Sequence, residues 1–343
     1  MSVDLTSTYL GMQLRNPVVA SPGPVTGDPD QWRRLDDAGV GALVLPSLFE
    51  EEIESESWWV SDLLDAGRDV VAEASEFLPE FEDYSVGPDR FLDLVTRAKA
   101  TVSVPVIASL NGTTTGGWVK YASRLVDAGA DAIELNVYDV ITDPRVSGAQ
   151  VEDRVVDLVG SVRAEVPVPV AVKLGPWFSA LANMATKLAG VGADGLVLFN
   201  RLYQPDIDLD GPSARPRLML SVPGNVRQSV AWIGILSGQV PLSLAASGGV
   251  DSADDVVKLI LAGADATMTT AALLRHGAEH VGALVSGLEG WLDERGYDSV
   301  TQAKGSVSFS KAAEPEAYQR ANYYQTLHSW VLFGRAAMTT VGL

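Results

Sequence analysis

Asp127-Ala128-Gly129-Ala130-Asp131-Ala132-Ile133-Glu134-Leu135 recurs in variant form along the chain. Its counterparts are Asp37-Ala38-Gly39-Val40-Gly41-Ala42-Leu43-Val44-Leu45, Ala189-Gly190-Val191-Gly192-Ala193-Asp194-Gly195-Leu196-Val197-Leu198 and Ala262-Gly263-Ala264-Asp265-Ala266-Thr267-Met268. Each reads as a helix end stopped by glycine, a tight turn, and a short apolar run. Further apolar runs without strict polar alternation lie at 17–21, 104–110, 168–174 and 243–247, the pattern of strands covered on both faces. Taken in order, these predict eight strands, at 17–21, 42–47, 104–110, 132–137, 168–174, 196–200, 243–247 and 266–270. The segments between carry helical periodicity, as in Arg90, Leu92, Leu94, Val95 and Ala98, and again in Leu181, Met184 and Leu188. Eight alternating units predict an α/β protein built as a (β/α)8 TIM barrel, with a doubly wound sheet as the alternative.

One barrel spanning 1–343 accommodates the length, with two long connections and a tail. The first connection, 48–87, concentrates carboxylates (Glu50, Glu51, Glu52, Glu54, Glu56 and others) around the single Arg68. It reads either as a solvated acidic insertion or as a lid or docking surface. The second, 201–227, carries Pro205, Pro212, Pro216 and Pro223 and reads as a rigidified loop on the catalytic side. A helix over 271–295 is expected to close the barrel. The extension 304–343 includes an amphipathic stretch at 314–331 with Tyr318, Tyr323, Tyr324 and Trp330. That stretch suits packing on its own barrel or a homo-oligomer contact.

Composition removes several classes of function. With 44 Asp and Glu against 25 Lys and Arg, the formal net charge is -19, which disfavours nucleic acid and anionic membranes as partners. The absence of cysteine excludes disulfides, thiolate-held iron-sulfur clusters and a cysteine nucleophile or base. His276, His280 and His328 are the only histidines and all fall late in the chain, so a resident metal centre is not expected. Neither an export signal nor an apolar run of about 18 residues is recognisable, and a cytoplasmic location is the expectation.

In this fold, polar residues at the C-terminal ends of the strands share one mouth. In strand order these are Ser21, Ser47, Ser109 with Asn111, Asn136 with Tyr138 and Asp139, Lys173, Asn200 with Arg201, Ser247 with Gly248 and Gly249, and Thr269 with Thr270. Lys173 ends the otherwise apolar Pro169-Val170-Ala171-Val172 and faces the barrel axis, where a cation needs an anionic partner or a shifted pKa. An ion pair with Glu134, a Schiff-base or general-base lysine, and cationic support for an anionic cofactor all fit it. Ser247-Gly248-Gly249 and Thr270 match a phosphate cradle of glycine amides and hydroxyls, although a Gly-Gly pair also makes an ordinary tight turn. Asn136 and Asn200 each offer a donor and an acceptor, which suits a flat heterocycle as well as it suits a polar core.

At these residues the chain resembles the dihydroorotate dehydrogenase family of FMN-containing barrels, over most of its length. The resemblance lies in Leu10-Gly11 through Asn16-Pro17 to Ala20-Ser21, Glu134-Leu135-Asn136, Val172-Lys173-Leu174 with Pro176 and Phe178, Ser247-Gly248-Gly249-Val250, and Ile260-Leu261-Ala262-Gly263-Ala264. It is closer to the branch usually called dihydroorotate dehydrogenase-like. The resemblance implies FMN held by Ala20, Ser21, Ser47, Ser109, Asn136, Lys173, Asn200, Ser247, Gly248, Gly249 and Thr270. It implies a substrate near Asn111, Asn136, Asn200 and Arg201, and Lys173 supporting the reduced flavin at its N1/O2 edge.

The departures fall in the substrate pocket. Where the family has Glu-Leu-Asn, two residues, then a Cys or Ser base and Pro-Asn, this chain has Glu134-Leu135-Asn136-Val137-Tyr138-Asp139-Val140-Ile141. The base position falls on Asp139. A second lysine at the end of strand two is replaced by Pro46, and the Gly-Thr of strand eight by Thr270-Ala271. The expectation is therefore an FMN-dependent oxidoreductase of pyrimidine-like or other carbonyl-activated CH–CH or C=C bonds. Lys173 and either Asp139 or Tyr138 would be its catalytic residues, Tyr138 suiting C=C reduction and Asp139 suiting dehydrogenation. Genuine dihydroorotate oxidation, a flavin-free lysine-dependent lyase, and a non-catalytic or electron-transfer subunit are the alternatives. Any iron-sulfur relay would have to come from a separate redox partner protein, because this chain has no thiolates to hold one.

Overall fold

Strands buried along nearly their whole length can satisfy their backbone groups only by pairing on both edges. Eight of them do so by closing into a parallel barrel. The computed structural model describes residues 3–53, 88–201, 203–216, 218–320, 322–324 and 326–328. Its strands are β1 (Ser7–Tyr9), β2 (Met12–Leu14), β3 (Val18–Ala20), β4 (Ala42–Phe49), β5 (Val106–Asn111) and β6 (Ala132–Asn136). They continue with β7 (Val170–Leu174), β8 (Gly195–Leu198), β9 (Pro205–Asp208), β10 (Ser213–Pro216), β11 (Ser243–Ser247) and β12 (Ala266–Thr269). The barrel runs β3-β4-β5-β6-β7-β8-β11-β12 and closes β12 onto β3, with helices between the strands. It is the (β/α)8 barrel that the recurring phrase predicts, and the doubly wound alternative is excluded by the closure.

Period two then sorts every strand. In β6, Ile133 and Leu135 join the layer under the helices, while Ala132, Glu134 and Asn136 alternate with them toward the axis. In β7, Val170, Val172 and Leu174 face outward, and Ala171 and Lys173 inward. Between Val44 and Ser47 the β4 ladder shifts register. Pro46 sits in that interval and has no N–H to give the ladder, and the resulting bulge aims Ser47 at the mouth.

The bottom of the barrel is closed by the β1–β2 hairpin, which the sequence reading does not include. Its turn uses Leu10 (φ 53) and Gly11 (φ 73), both left-handed as a two-residue hairpin turn requires. The left-handed leucine is held because its side chain is buried against Gly195, where a Cβ would come within 2.6 Å of Leu10 Cδ2 and 3.0 Å of the Ser243 carbonyl. Arg15, just past the hairpin, donates to the Val40 and Asp36 carbonyls and pairs with the Asp36 carboxylate at 2.8 Å.

Three expectations change. The closing helix over 271–295 is two helices, Ala271–His276 and His280–Glu294, because Gly277 adopts φ 85 and ends the first. The loop 201–227 contains the β9–β10 hairpin. The tail begins with a short 3-10 turn, Pro315–Tyr318, where the Tyr318 hydroxyl donates to the Val307 carbonyl and the ring meets Phe309 edge-on. Tyr323 and Tyr324 are exposed. Most of the acidic insertion (54–87), Trp330 and Val331 lie outside the described residues.

Gly195→Ala should therefore cost about 1–3 kcal/mol in urea unfolding, because the new methyl displaces the Leu10 plug. Burial pushes the Asp36 carboxyl up, but hydrogen bonds from Ser103 and the Arg15 guanidinium outweigh it and hold it below 3.8. A carboxyl depressed on folding stabilises above its unfolded pKa, and that stability is lost as pH falls through the folded value. The unfolding midpoint should fall on acidification below about pH 3.8, with Asp36→Asn flattening the decline.

Candidate active site

Ladder register decides which polar side chains meet. Ser47 pairs with Ser109 across β4 and β5, Ser109 with Glu134 and Asn111 with Asn136 across β5 and β6, and Asn136 with Lys173 across β6 and β7. The side chains join into one chain of donors. Asn200 Nδ2 donates to Asn136 Oδ1, and Asn136 Nδ2 donates to Ser47 Oγ at 3.1 Å. The Ser47 and Ser109 hydroxyls bond at 2.8 Å, and Ser109 Oγ leans toward Glu134 Oε1 at 3.5 Å. Every dipole can point toward the buried carboxylate, so the bonds polarise one another.

Glu134 is 1 % exposed and stands 3.6 Å from Lys173 Nζ. Among the described residues its Oε2 has no hydrogen-bond partner, nor does the hydroxyl of fully buried Tyr9 in the hairpin. Burial first, then the charges of Glu134 and Asp265, push the Tyr9 phenol well above its ordinary range, so it stays neutral. The Lys173 ammonium makes no hydrogen bond among the described residues, and Lys173 borders two cavities at the mouth. A buried cation with unused donors is suited to an electron-rich atom placed in that space.

The two cavities are halves of one trough, sharing Pro22, Lys173, Asn200 and Tyr203. One half, about 310 Å³, is bordered by Ser47, Asn111, Asn136 and Tyr138. The other, about 120 Å³, is bordered by Ser21, Ser247, Gly248, Gly249 and Thr270. Gly248 (φ 95) and Gly249 (φ 80) turn left-handed after β11, and their amides have no acceptor among the described residues. At Gly249 a Cβ would lie 2.6 Å from the Val226 amide, so only glycine lets this turn lie against the next helix. Thr269 and Thr270 do not present free hydroxyls to the trough, contrary to the expected cradle. Their hydroxyls donate to the Val250 carbonyl and to the Ser21 carbonyl, both at 2.8 Å, so Thr270 offers the trough its backbone rather than a free O–H.

The remaining sequence candidates separate. Ala20 is fully buried in the layer under the helices, Ser109 is fully buried and bonded to its ladder partner Ser47, and neither borders either cavity. Tyr138 enters the mouth, its hydroxyl accepting the Tyr203 amide at 3.1 Å. Asp139 does not: it is exposed and borders a separate cavity beyond the loop that follows β6. Arg201 stands between that cavity and the glycine end of the trough, donating to Ser221 Oγ at 3.4 Å. Pro22, Tyr203 and the segment 218–221 also line the trough, and none is recognisable from sequence, because loop side chains carry no periodicity.

A family model described as dihydroorotate dehydrogenase matches residues 74–292, more than half of the 343-residue chain. The chain belongs to the dihydroorotate dehydrogenase family. Membership makes it an oxidoreductase of the CH–CH group. A family relative from Aeropyrum pernix, carried under the provisional name dihydroorotate dehydrogenase A (fumarate), is 27% identical over 88% of this chain and 97% of its own. The protein named dihydroorotate dehydrogenase B (NAD(+)), catalytic subunit, from Thermoplasma acidophilum is 26% identical over 88% and 98%. Its namesake from Desulforudis audaxviator is 29% identical over 90% and 98%. No described helix of this dihydroorotate dehydrogenase family member is long and apolar enough to cross a membrane.

Ser47 is the hub of the donor chain, bonded to both Ser109 and Asn136. Ser47→Ala should cost about 1–3 kcal/mol in thermal or urea unfolding, since it removes a partner from buried Ser109 and from half-buried Asn136.

Proposed function

We propose that this chain is an FMN-dependent oxidoreductase that reduces a carbonyl-activated C=C bond of a small molecule. The observation that carries the reading is the divided trough, with Lys173 at its junction, the donor chain along one half and the free glycine amides at the end of the other. The Gly248 and Gly249 amides, the Thr270 backbone and Ser21 would hold a phosphate, as bare amides in a left-handed turn do. Ser47, Asn136, Asn200 and Lys173 would hold the edges of a flat heterocycle, the asparagines supplying both donors and acceptors. When bound, the flavin supplies the hydride.

The protein's own part is electrostatic and acid–base. Lys173 presents a positive charge from a site that excludes most water, where Glu134 anchors it without using its hydrogen bonds. Tyr138 holds the proton that must accompany the hydride. Its oxygen already accepts from the Tyr203 amide, which leaves its own O–H to donate into the mouth. Phenols carry their proton at neutral pH, so this placement favours delivering one to a substrate carbon over removing one. Asp139 is exposed and borders the adjoining cavity rather than the trough, which favours reduction over dehydrogenation. Genuine dihydroorotate oxidation has the names of the relatives in its favour, and an anaerobic titration separates the two.

The protein purified as it folds should show oxidised-flavin absorption bands and release FMN on denaturation. Dihydroorotate should fail to bleach those bands, whereas an activated enone should reoxidise the dithionite-reduced protein. A colourless protein that takes up no added FMN would overturn the proposal. Tyr138→Phe should keep the flavin and lower turnover about 10²–10⁴-fold, the range of a lost general acid. Lys173→Met should instead weaken flavin retention and shift its midpoint potential downward.

A further inference from the structure

The cavity of about 420 Å³ outside the trough is larger than either half of it, and nothing in the chemistry above uses it. It lies between the loop after β6, one face of the helix Gly148–Glu165 and the loop after β7. The helix is fixed by a capping box, Ser147 with Gln150, and presents Val151 and Val155 to the cavity. Val140, Ile141, Trp177 and Phe178 complete an apolar wall. Trp177 is 65% exposed and Val140 53%, so large apolar side chains surround a concavity with no described segment over them. The carboxylates there are not inward ligands: Glu152 pairs with Lys187 at 2.8 Å, and Asp139 is exposed.

Two properties tie this cavity to the active site. It shares Tyr138 and Asn200 with the ring half of the trough, so it opens where the reacting bond would be presented. It also shares Arg201 with the glycine half, and Arg201 has no carboxylate within ion-pair distance among the described residues. An unpaired guanidinium at the edge of an apolar hollow is a site for a molecule that has both an anionic group and an apolar body. A compact, polar pyrimidine ring would leave this wall unfilled and would find few partners on it.

We propose that the cavity is a substrate subsite, and that the substrate is an unsaturated carboxylate with an aryl or branched alkyl arm. The arm occupies the hollow between Val140, Val155 and Trp177, the carboxylate pairs with Arg201, and the activated C=C bond lies beside Tyr138. The assignment rests on the oxidoreductase reading above and narrows its substrate class.

The test compares crotonate with (E)-4-phenylbut-2-enoate on the flavin-loaded protein, two enoates that differ by one aryl arm. Binding is read from intrinsic tryptophan fluorescence and from the flavin difference spectrum. The arm should tighten binding about tenfold or more, the gain expected from burying part of an aromatic ring. Val140→Gln, at an exposed position, and Val155→Trp, which fills the hollow, should each erase the difference in affinity between the two enoates. Arg201→Gln should weaken both ligands alike. Equal affinities for the two enoates in the wild type, or an arm effect untouched by both hollow variants, would overturn the subsite. Such a result on a protein that still shows bound FMN and enone turnover leaves the oxidoreductase reading standing, whereas a flavin-free protein sinks that reading by its spectrum alone.

Discussion

Closing eight parallel strands turns alternate side chains onto a common axis, and in this protein the axis has to carry a cation beside a carboxylate. Lys173 and Glu134 are both nearly inaccessible to water, and each without the other would be a bare charge in the interior. Their separation of 3.6 Å is an ion pair without a hydrogen bond. The attraction therefore holds Lys173 in place while leaving its donors for whatever enters the mouth. Under the pair the barrel is apolar: Tyr9, Leu14, Val19 and Ile107 fill it, and the hairpin carrying Tyr9 seals it.

Polarity rises layer by layer from that floor. Glu134 and Ser109 lie on one level, Asn136 and Lys173 on the next, and the loops add Tyr138, Asn200 and Arg201 above them. Because hydroxyl and amide donors all run toward Glu134, the donor chain takes up hydrogen-bonding capacity that would otherwise be stranded as the strands close. The left-handed Gly248-Gly249 turn does the opposite at the far side of the mouth, exposing amides rather than satisfying them. One rim of the mouth is thus finished within the protein and the other is open to a ligand.

The loops decide which of two adjacent side chains reaches the mouth. Tyr138 and Asp139 are adjacent in sequence and differ in fate, because the chain leaves the ladder at Asn136 and no longer alternates about the barrel axis. The Tyr203 amide captures one hydroxyl, the paired aromatic rings stand 6.1 Å apart, and the next side chain is left outside. Trp177 and Arg201, from two further strand ends, then border a hollow that no single segment of sequence encodes.

The barrel strands were legible because a buried parallel strand must be apolar and glycine must stop each preceding helix. The 243–247 strand is observed over Ser243–Ser247, and the others lie within two residues of the predicted bounds. The axial residues Ser47, Asn136 and Lys173 were legible for the same reason, since strand-end position and period two place them. Three-residue strands such as Ser7–Tyr9 carry too little pattern to be read, and their hairpin is held by a remote glycine, Gly195. Sequence alone determined the barrel, the axial cation and the glycine turn, because these follow from local periodicity and backbone stereochemistry. Tertiary structure alone decided that Tyr138 enters the mouth while Asp139 stays out, that Thr270 gives its hydroxyl to Ser21, and that three loops enclose an apolar hollow. Each of those depends on contacts between segments far apart in the chain, and no local rule of propensity or periodicity encodes them.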